Sequence, residues 1–551
     1  MFELRLPSAL VLVIALAASS LFAAPPLLAD NVRILTRGAP IQGSNGIAVG
    51  PDGKLYVTSV SGREIVVMNR FSGRIIDRLG VDDGVETPDD CVFGPDGSLY
   101  WTAIFAGEVG RRAPDGTVSI VAQLPPGPNP IAFNDDGRLF VGLAAFGDGL
   151  YEVDPLGIDP PELLIASSNG GLNGFEFGPD GYLYSPQPDL GTVARIDVDA
   201  RTITTFATGF TLPVALDFDS QGRLYVNDTA ADEIVRIDIA TGQREVFAEL
   251  SDGVDNLAFD AADNLYVTSL LQGSVRKIRP NGRVRTISRG GMTTPGGVAT
   301  QPLGFFGRRD KVWVADFFSL RAFSGFSGIQ LDFEGTIPGI SALTAPATVA
   351  ADGDQLIISS WILGAVQVFD PATGQVPLNL TDFDAPLNAI RFQGDLVVAE
   401  LGTGSVVRAA TADPSQRTTL ASDLAVPSGL AATADDLWVA DTALGTIQQI
   451  VGAGQVLTPP TLVASNLAGP EGLAVLPGGD LIVVEAAAGR VSRVDPATGN
   501  VTTVADGLGL GAPPPPLVPP TWLFNGVAAG ARGAVYVTGD IDNVVYKLRV
   551  H

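Results

Sequence analysis

The sequence has 551 residues, 46% of them hydrophobic, with 65 Gly and 40 Pro, so a large core cut by many turns is expected and a disordered chain is excluded. Its net charge of −26 repels phosphate backbones and argues against a nucleic-acid partner. The single cysteine, Cys91, excludes an internal disulfide and a thiolate metal site, and the single histidine, His551, disfavours Ser-His-Asp, Cys-His and His-ligated zinc chemistry.

In chain order, Arg5 precedes an apolar run from Ala9 to Ala24, and Pro25-Pro26 follows. Residues 1–29 therefore read as a signal peptide or an uncleaved anchor, which predicts a secreted or periplasmic protein with no later membrane insertion. Next comes Val32-Arg-Ile-Leu-Thr, a strand without partners nearby. From Asn45 onward one phrase recurs: a small or polar residue, an apolar triplet, a Pro-Asp-Gly type of turn, and a second apolar strand. Asn45-Gly-Ile-Ala-Val-Gly-Pro-Asp-Gly-Lys-Leu-Tyr-Val and Asp89-Asp-Cys-Val-Phe-Gly-Pro-Asp-Gly-Ser-Leu-Tyr-Trp are the clearest copies. Further copies start at Asn129, Asn173, Val214 and Asn256, then more loosely at Gly296, Ala347, Asn388, Ser428, Glu471 and Asn525. A period of about forty residues is that of a four-stranded propeller blade. Each copy supplies strands A to D; the Gly of the A–B turn takes a positive φ, and strand A is nearly all apolar, as a strand buried on both faces should be.

The predicted fold is therefore all-β, two tandem six-bladed β-propellers, with residues 30–280 forming the first and 281–551 the second. Each half reads as a D strand, five full blades and an A-B-C remainder, so each is expected to close on its own first strand, hiding its edges, with a five-plus-seven split or a domain-inserted arrangement as the alternatives. The Phe/Gly/Ser-rich residues 317–345, which lengthen blade seven, and Gly511 to Pro520 with its proline run Pro513 to Pro516 are read as loops on a rim.

Strand A lies innermost in a propeller, so its first residue points at the central channel. In the first half Asn45, Asp89, Asn129, Asn173, Val214 and Asn256 meet there, with Asp90 and Asp255 adjacent. Hard oxygen donors converging on one axis suit Ca2+, although Asn and Asp also serve simply as turn formers at strand entries. In the second half the candidate ligands are Asn388, Glu471 and Asn525, beside Gly296, Ala347 and Ser428. Cys91 sits in an apolar run and reads as a buried structural thiol.

The repeats resemble NHL-type blades and the six-bladed gluconolactonase (regucalcin-like), paraoxonase and strictosidine-synthase-like propellers. Asn45-Gly-Ile-Ala-Val is similar to the Asn-Gly strand entry of gluconolactonases, and Asp255-Asn256 and Asp89-Asp90 resemble the metal-binding entries of paraoxonases. Gly469-Pro-Glu471 resembles a glutamate entry. The resemblance implies a calcium-dependent lactone or ester hydrolase, with metal ligands Asn45, Asp89, Asn173, Asp255 and Asn256, and with Asp89 or Asp255 as the base. It equally admits a non-catalytic NHL-type scaffold that binds a protein, glycan or small ligand at one rim. The paraoxonase histidines are absent, whereas a regucalcin-like mechanism needs none.

Overall fold

The computed structural model describes residues 31–550 apart from 145, 169, 305–307 and 338–339; the predicted signal peptide lies outside the described residues. Among these residues the strands form twelve antiparallel sheets of four strands each. Blade 1 runs from strand Ser44–Val49 to Ile75–Leu79, blade 2 from Pro88–Phe93 to Val118–Gln123, and blade 6 from Val254–Phe259 to Val284–Ser288. Blade 7 begins at Val298–Leu303, and blade 12 contains Val527–Ala529, Ala534–Gly539 and Val544–Arg549.

The blades form two rings. Strand A of blade 1 packs on strand A of blade 6, and strand A of blade 7 on that of blade 12. Each ring surrounds a cavity walled by the innermost strands of all six of its blades, about 230 Å³ in the first and about 300 Å³ in the second. Between neighbouring blades lie apolar clusters, such as Ile47, Leu55, Val57 and Val66 with Tyr266 and Val275 across the blade 1–6 seam.

A repeated polar stitch locks the inner strands. A strand B hydroxyl or amide donates to the strand-entry carbonyl of the next blade: Thr58 to Asp89, Thr102 to Asn129 (2.8 Å), Asn227 to Asp255 (3.0 Å) and Thr268 back to Asn45. Thr538 closes the second ring in the same way, onto the Gly296 carbonyl. These bonds satisfy buried carbonyls at an inter-blade junction where no ladder partner exists.

Ring closure differs from the expectation in one respect. The Val32–Arg37 strand does not complete the first ring; it pairs antiparallel with Val544–Arg549 and becomes the outer strand of blade 12. Blade 6 is completed locally, Ser274–Ile278 pairing with Val284–Ser288. The first ring is thus inserted between one strand of the second ring and the rest of it. The physical reason is loop entropy: a short hairpin between residues 278 and 284 closes blade 6 far more readily than a strand some 240 positions away. Residues 317–345 are a second correction. They hold the Ser319–Ser324 and Gln330–Gly335 strands of blade 7 and are not simply a rim loop. Residues 506–526, around the proline run, carry no strand, and at their end Phe524 and Gly526 line the second cavity.

The two rings meet through the B–C turns of the first. Thr294 Oγ1 donates to Ser61 Oγ (3.1 Å), and Arg63 Nη1 donates to the Pro513 carbonyl (2.7 Å). Arg321 is 0% exposed and crosses the interface: its Nε donates to Asp316 (2.6 Å), and its Nη2 donates to the Leu271 carbonyl of the first ring (2.6 Å). Among the described residues no helix is long and apolar enough to cross a membrane.

Candidate functional site

Strand A of most first-ring blades carries a bulge at its start. In blade 1 the register shifts between Ser44 and Ile47, in blade 2 between Pro88 and Cys91, in blade 6 between Val254 and Leu257. One extra residue is accommodated there, which re-aims the entry side chains at the channel mouth. The shared register places Asp255, not Asn256, at the position of Asn45 and Asp89; Asn256 corresponds to Gly46 and Asp90, one step deeper. The reading of Asn256 as the entry residue is off by one: the bulge is the same in all three blades, and Asp255 stands five residues ahead of Asp260 as Asn45 does of Gly50 and Asp89 of Gly94. Gly46 is glycine for a reason of space: a Cβ there would sit 2.5 Å from Asp90 Oδ1 and 2.6 Å from Asp90 Cα.

Blades 6, 1 and 2 are consecutive and bring Asp255, Asn45 and Asp89 together. Asn45 Nδ2 donates to Asp89 Oδ1 (3.0 Å). Asp89 is 3% exposed, and its Oδ2 is buried without a hydrogen-bond partner; Asp255 Oδ2 is likewise unpartnered. Burial, and then the neighbouring Asp255 and Asp90, raise the Asp89 carboxyl well above the usual range, against the Asn45 hydrogen bond. Burial alone pushes Asp255 up to about 7. Asn173 stands on blade 4, across the axis from blade 1, and its Oδ1 accepts from the Gly174 N–H of its own strand (2.9 Å). Asn256 Oδ1 similarly accepts from Leu257 N (3.2 Å).

Deeper in the channel lies a second acidic group, of which the sequence reasoning named Asp90 but missed Glu176 and Asp217. Asp90, Glu176 and Asp217 line the first cavity together with Asn256, and no Lys or Arg lines it. Asp90 Oδ1 accepts from Cys91 N (2.8 Å), and burial pushes its carboxyl up to about 7. Asp217 accepts from Phe218 N (2.6 Å) and, across the blade 5–6 seam, from Phe259 N (2.9 Å). Glu176 accepts from Phe177 N (2.8 Å). Burial raises both Glu176 and Asp217, with their mutual repulsion adding to the shift of Glu176. The signal was available: Phe175-Glu-Phe and Leu216-Asp-Phe break an otherwise apolar strand A, where blades 1 and 3 have Ala48 and Ala132.

In the second ring, Glu471 and Asn525 are neighbours. Glu471 accepts from Asn525 N (2.6 Å), and the Asn525 amide is spent on Gly511 N (2.8 Å) and the Thr538 carbonyl (3.2 Å). Asn388 is on blade 9, opposite blade 12, and does not join them. Ala, Gly and Val residues dominate the wall of the second cavity. Cys91 is a buried free thiol, as expected, and the Asp52 and Asp96 carboxylates accept from their own turns, at Lys54 N (3.0 Å) and Ser98 N (2.9 Å).

The donor chemistry at the first mouth fits a hard divalent cation: two carboxylates with orphaned oxygens, and a carboxamide oxygen that rotation about χ2 presents in place of the N–H. Among the described residues no three His, Cys, Asp or Glu side chains form one metal-ligating group, so amide, backbone or water oxygens have to complete the shell.

Comparison with known proteins supports the gluconolactonase-like character of this ring. Residues 169–299, from the blade 3–4 junction to the start of blade 7, match the family model of the SMP-30/gluconolactonase/LRE-like region. The chain therefore carries a gluconolactonase-like region, about a quarter of its length. A solved structure described as a gluconolactonase is 16% identical, the match covering 48% of this chain and 94% of its own, with a TM-score of 0.37. Virginiamycin B lyase from Staphylococcus aureus is 16% identical over 60% of this chain and 95% of its own, with a TM-score of 0.23. The extracellular domain of a one-component system from B. thetaiotaomicron is 13% identical over 92% of this chain and 74% of its own, with a TM-score of 0.32. No curated protein matches the sequence significantly.

Proposed function

We propose that the protein is an exported, calcium-dependent hydrolase of lactones or esters that works at the mouth of its first ring. One observation carries the reading: Asp89 Oδ2 and Asp255 Oδ2 are buried and unpartnered, at strand entries next to a cavity lined by Asp90, Glu176 and Asp217 and by no Lys or Arg. Two carboxylates so placed are relieved by protons or by a cation, since uncompensated buried charge is costly, and a divalent ion compensates both at once. Asp89, Asp255 and the Asn45 carboxamide would hold it, with Asn173 and Asn256 facing the same channel. When bound, the ion supplies Lewis-acid polarisation of a carbonyl oxygen. Asn45 orients Asp89 by donating to one of its oxygens. Whichever of Asp89 and Asp255 keeps a free oxygen accepts the proton of the attacking water. The Phe105 ring, in the B–C turn of blade 2, stands against Trp522 of the proline loop (centroids 6.3 Å apart) and gives the second ring a place in the wall beside the mouth.

The test is calorimetric titration of Ca2+ into the full chain, together with a lactone and ester screen with and without a chelator. Tenfold or greater losses of Ca2+ affinity in Asp89→Asn and Asp255→Asn, and chelator-sensitive hydrolysis, are expected. Absence of Ca2+ uptake, or activity untouched in both variants, refutes the proposal. The second ring favours another role for itself: with a channel walled mainly by Ala, Gly and Val and the Asn525 amide fully engaged, it fits a non-catalytic scaffold that binds a protein, glycan or small ligand at one rim.

A further inference from the structure

Far from the first mouth, a cavity of about 660 Å³ opens where the N-terminal strand, the last strand and blade 7 meet. Arg33, Arg308, Arg309, Arg532, Lys547 and Arg549 line it, six of the 34 basic residues of a chain whose net charge is −26. These residues come from the A–B turn of blade 12, the hairpins of blade 7 and the outer ends of the paired strands, on the rim opposite the turns that meet the first ring. We propose that this cavity binds a compact polyanion, a small molecule bearing two or more phosphate or carboxylate groups.

The arrangement breaks a local rule of sheet design. Arg33 and Lys547 are directly opposite in the antiparallel pair, and Arg549 follows two residues on along the same face. Like charges opposed across a ladder destabilise it. Acidic residues are abundant in this sequence, yet among the described residues Arg33, Arg309, Arg532, Lys547 and Arg549 form no ion pair with a carboxylate. The acid at the cavity wall, Asp310, is occupied: it accepts from Ala531 N (2.9 Å) and from the Tyr536 hydroxyl (2.7 Å). Backbone carbonyls hold two of the cations in place, Gly325 accepting from Lys547 Nζ (2.7 Å) and Phe326 from Arg33 Nη2 (3.1 Å). Burial and the nearby Arg33 and Arg549, against Asp310, pull the Lys547 ammonium below its ordinary range. Six cations thus line the cavity against one lining carboxylate, Asp310, so the lining itself supplies too little counter-charge. A multiply charged oxyanion would supply it, and guanidinium forks match phosphate and carboxylate oxygens in pairs. The cavity has the size of small-molecule sites.

Because the cavity spans the strand pair that closes the second ring, bound anion stabilises that closure by mass action. The test titrates pyrophosphate and citrate separately into the full chain at low salt, by calorimetry and by thermal melting. We expect binding and a raised melting temperature with at least one of them. A response to pyrophosphate alone assigns a phosphate ligand, and a response to citrate alone a carboxylate ligand. The double variant Arg33→Gln/Arg549→Gln should bind at least tenfold more weakly, and Arg532→Gln, on an exposed turn, should do the same if the double variant does not fold. No binding of either anion, or equal affinity in wild type and variants, overturns the proposal.

Discussion

Leu35 offers a sharp test of how the rings close. It is 9% exposed and packs with Val298, Val312, Phe323, Tyr536 and Val545, all of the second ring. A bulge between Ile34 and Thr36 turns it into that core. Leu35→Ala removes a buried isobutyl group and leaves a cavity, at a cost of about 2–5 kcal/mol. Even the lower figure raises the opening equilibrium of the affected blade by about thirtyfold. Hydrogen exchange read by mass spectrometry locates the effect. Amides of Val544–Arg549 and Ala534–Gly539 should lose protection, while those of Ser274–Ile278 and Val284–Ser288 keep theirs. Loss confined to residues 274–288 would mean that the first strand closes the first ring, and the insertion topology would be wrong. Removing residues up to Gly38 should give the same pattern more strongly, because it bares the edge of Val544–Arg549.

Two further perturbations probe the interface and the channel. Arg321→Leu leaves Asp316 buried with only Thr293 N, Thr294 N and the Ser319 hydroxyl as partners; a loss of about 3–5 kcal/mol is expected in denaturant titration, partly recovered by adding Asp316→Asn, and an unchanged midpoint would contradict the buried pair. In a chelator, the channel acids should make the protein more stable as pH falls from 8 to 5. Their carboxyls are raised in the folded state, Asp90 and Asp255 to about 7, so their stabilisation is complete below the unfolded value near 4 and disappears as pH rises through 7. Asp217→Asn should lift the melting temperature at pH 8 and flatten this dependence; a melting temperature that instead falls steadily between pH 8 and 5 would show that these groups are ionised in the fold.

The repeat was legible because it is written locally. A Pro-Asp-Gly turn such as Pro51-Asp52-Gly53, with Gly53 at φ 73°, needs only its own residues, and so do the apolar strands on either side. Alternation and turn chemistry therefore determined the blade, and twelve blades determined the all-β propeller architecture. The entry residues Asn45 and Asp89 were legible for the same reason, since each opens a strand. Asp255 was legible too, since it stands five residues ahead of Asp260 as Asn45 does of Gly50; starting the phrase at Asn256 put the entry one residue late. Glu176 and Asp217 were hidden for another reason: each looks like an interruption of a single strand until two seams bring them to one cavity.

What the tertiary structure alone decided is which edges meet. Every outer strand in this chain has much the same pattern, so Val32–Arg37 is chemically acceptable to either ring, and only the local hairpin that already completes blade 6 leaves Val544–Arg549 as its partner. The opposed Arg33 and Lys547, and the cationic cavity they help to form, exist only because of that choice: residues more than five hundred positions apart share no sequence signal, and proximity in a closed ring is what makes their charges one site.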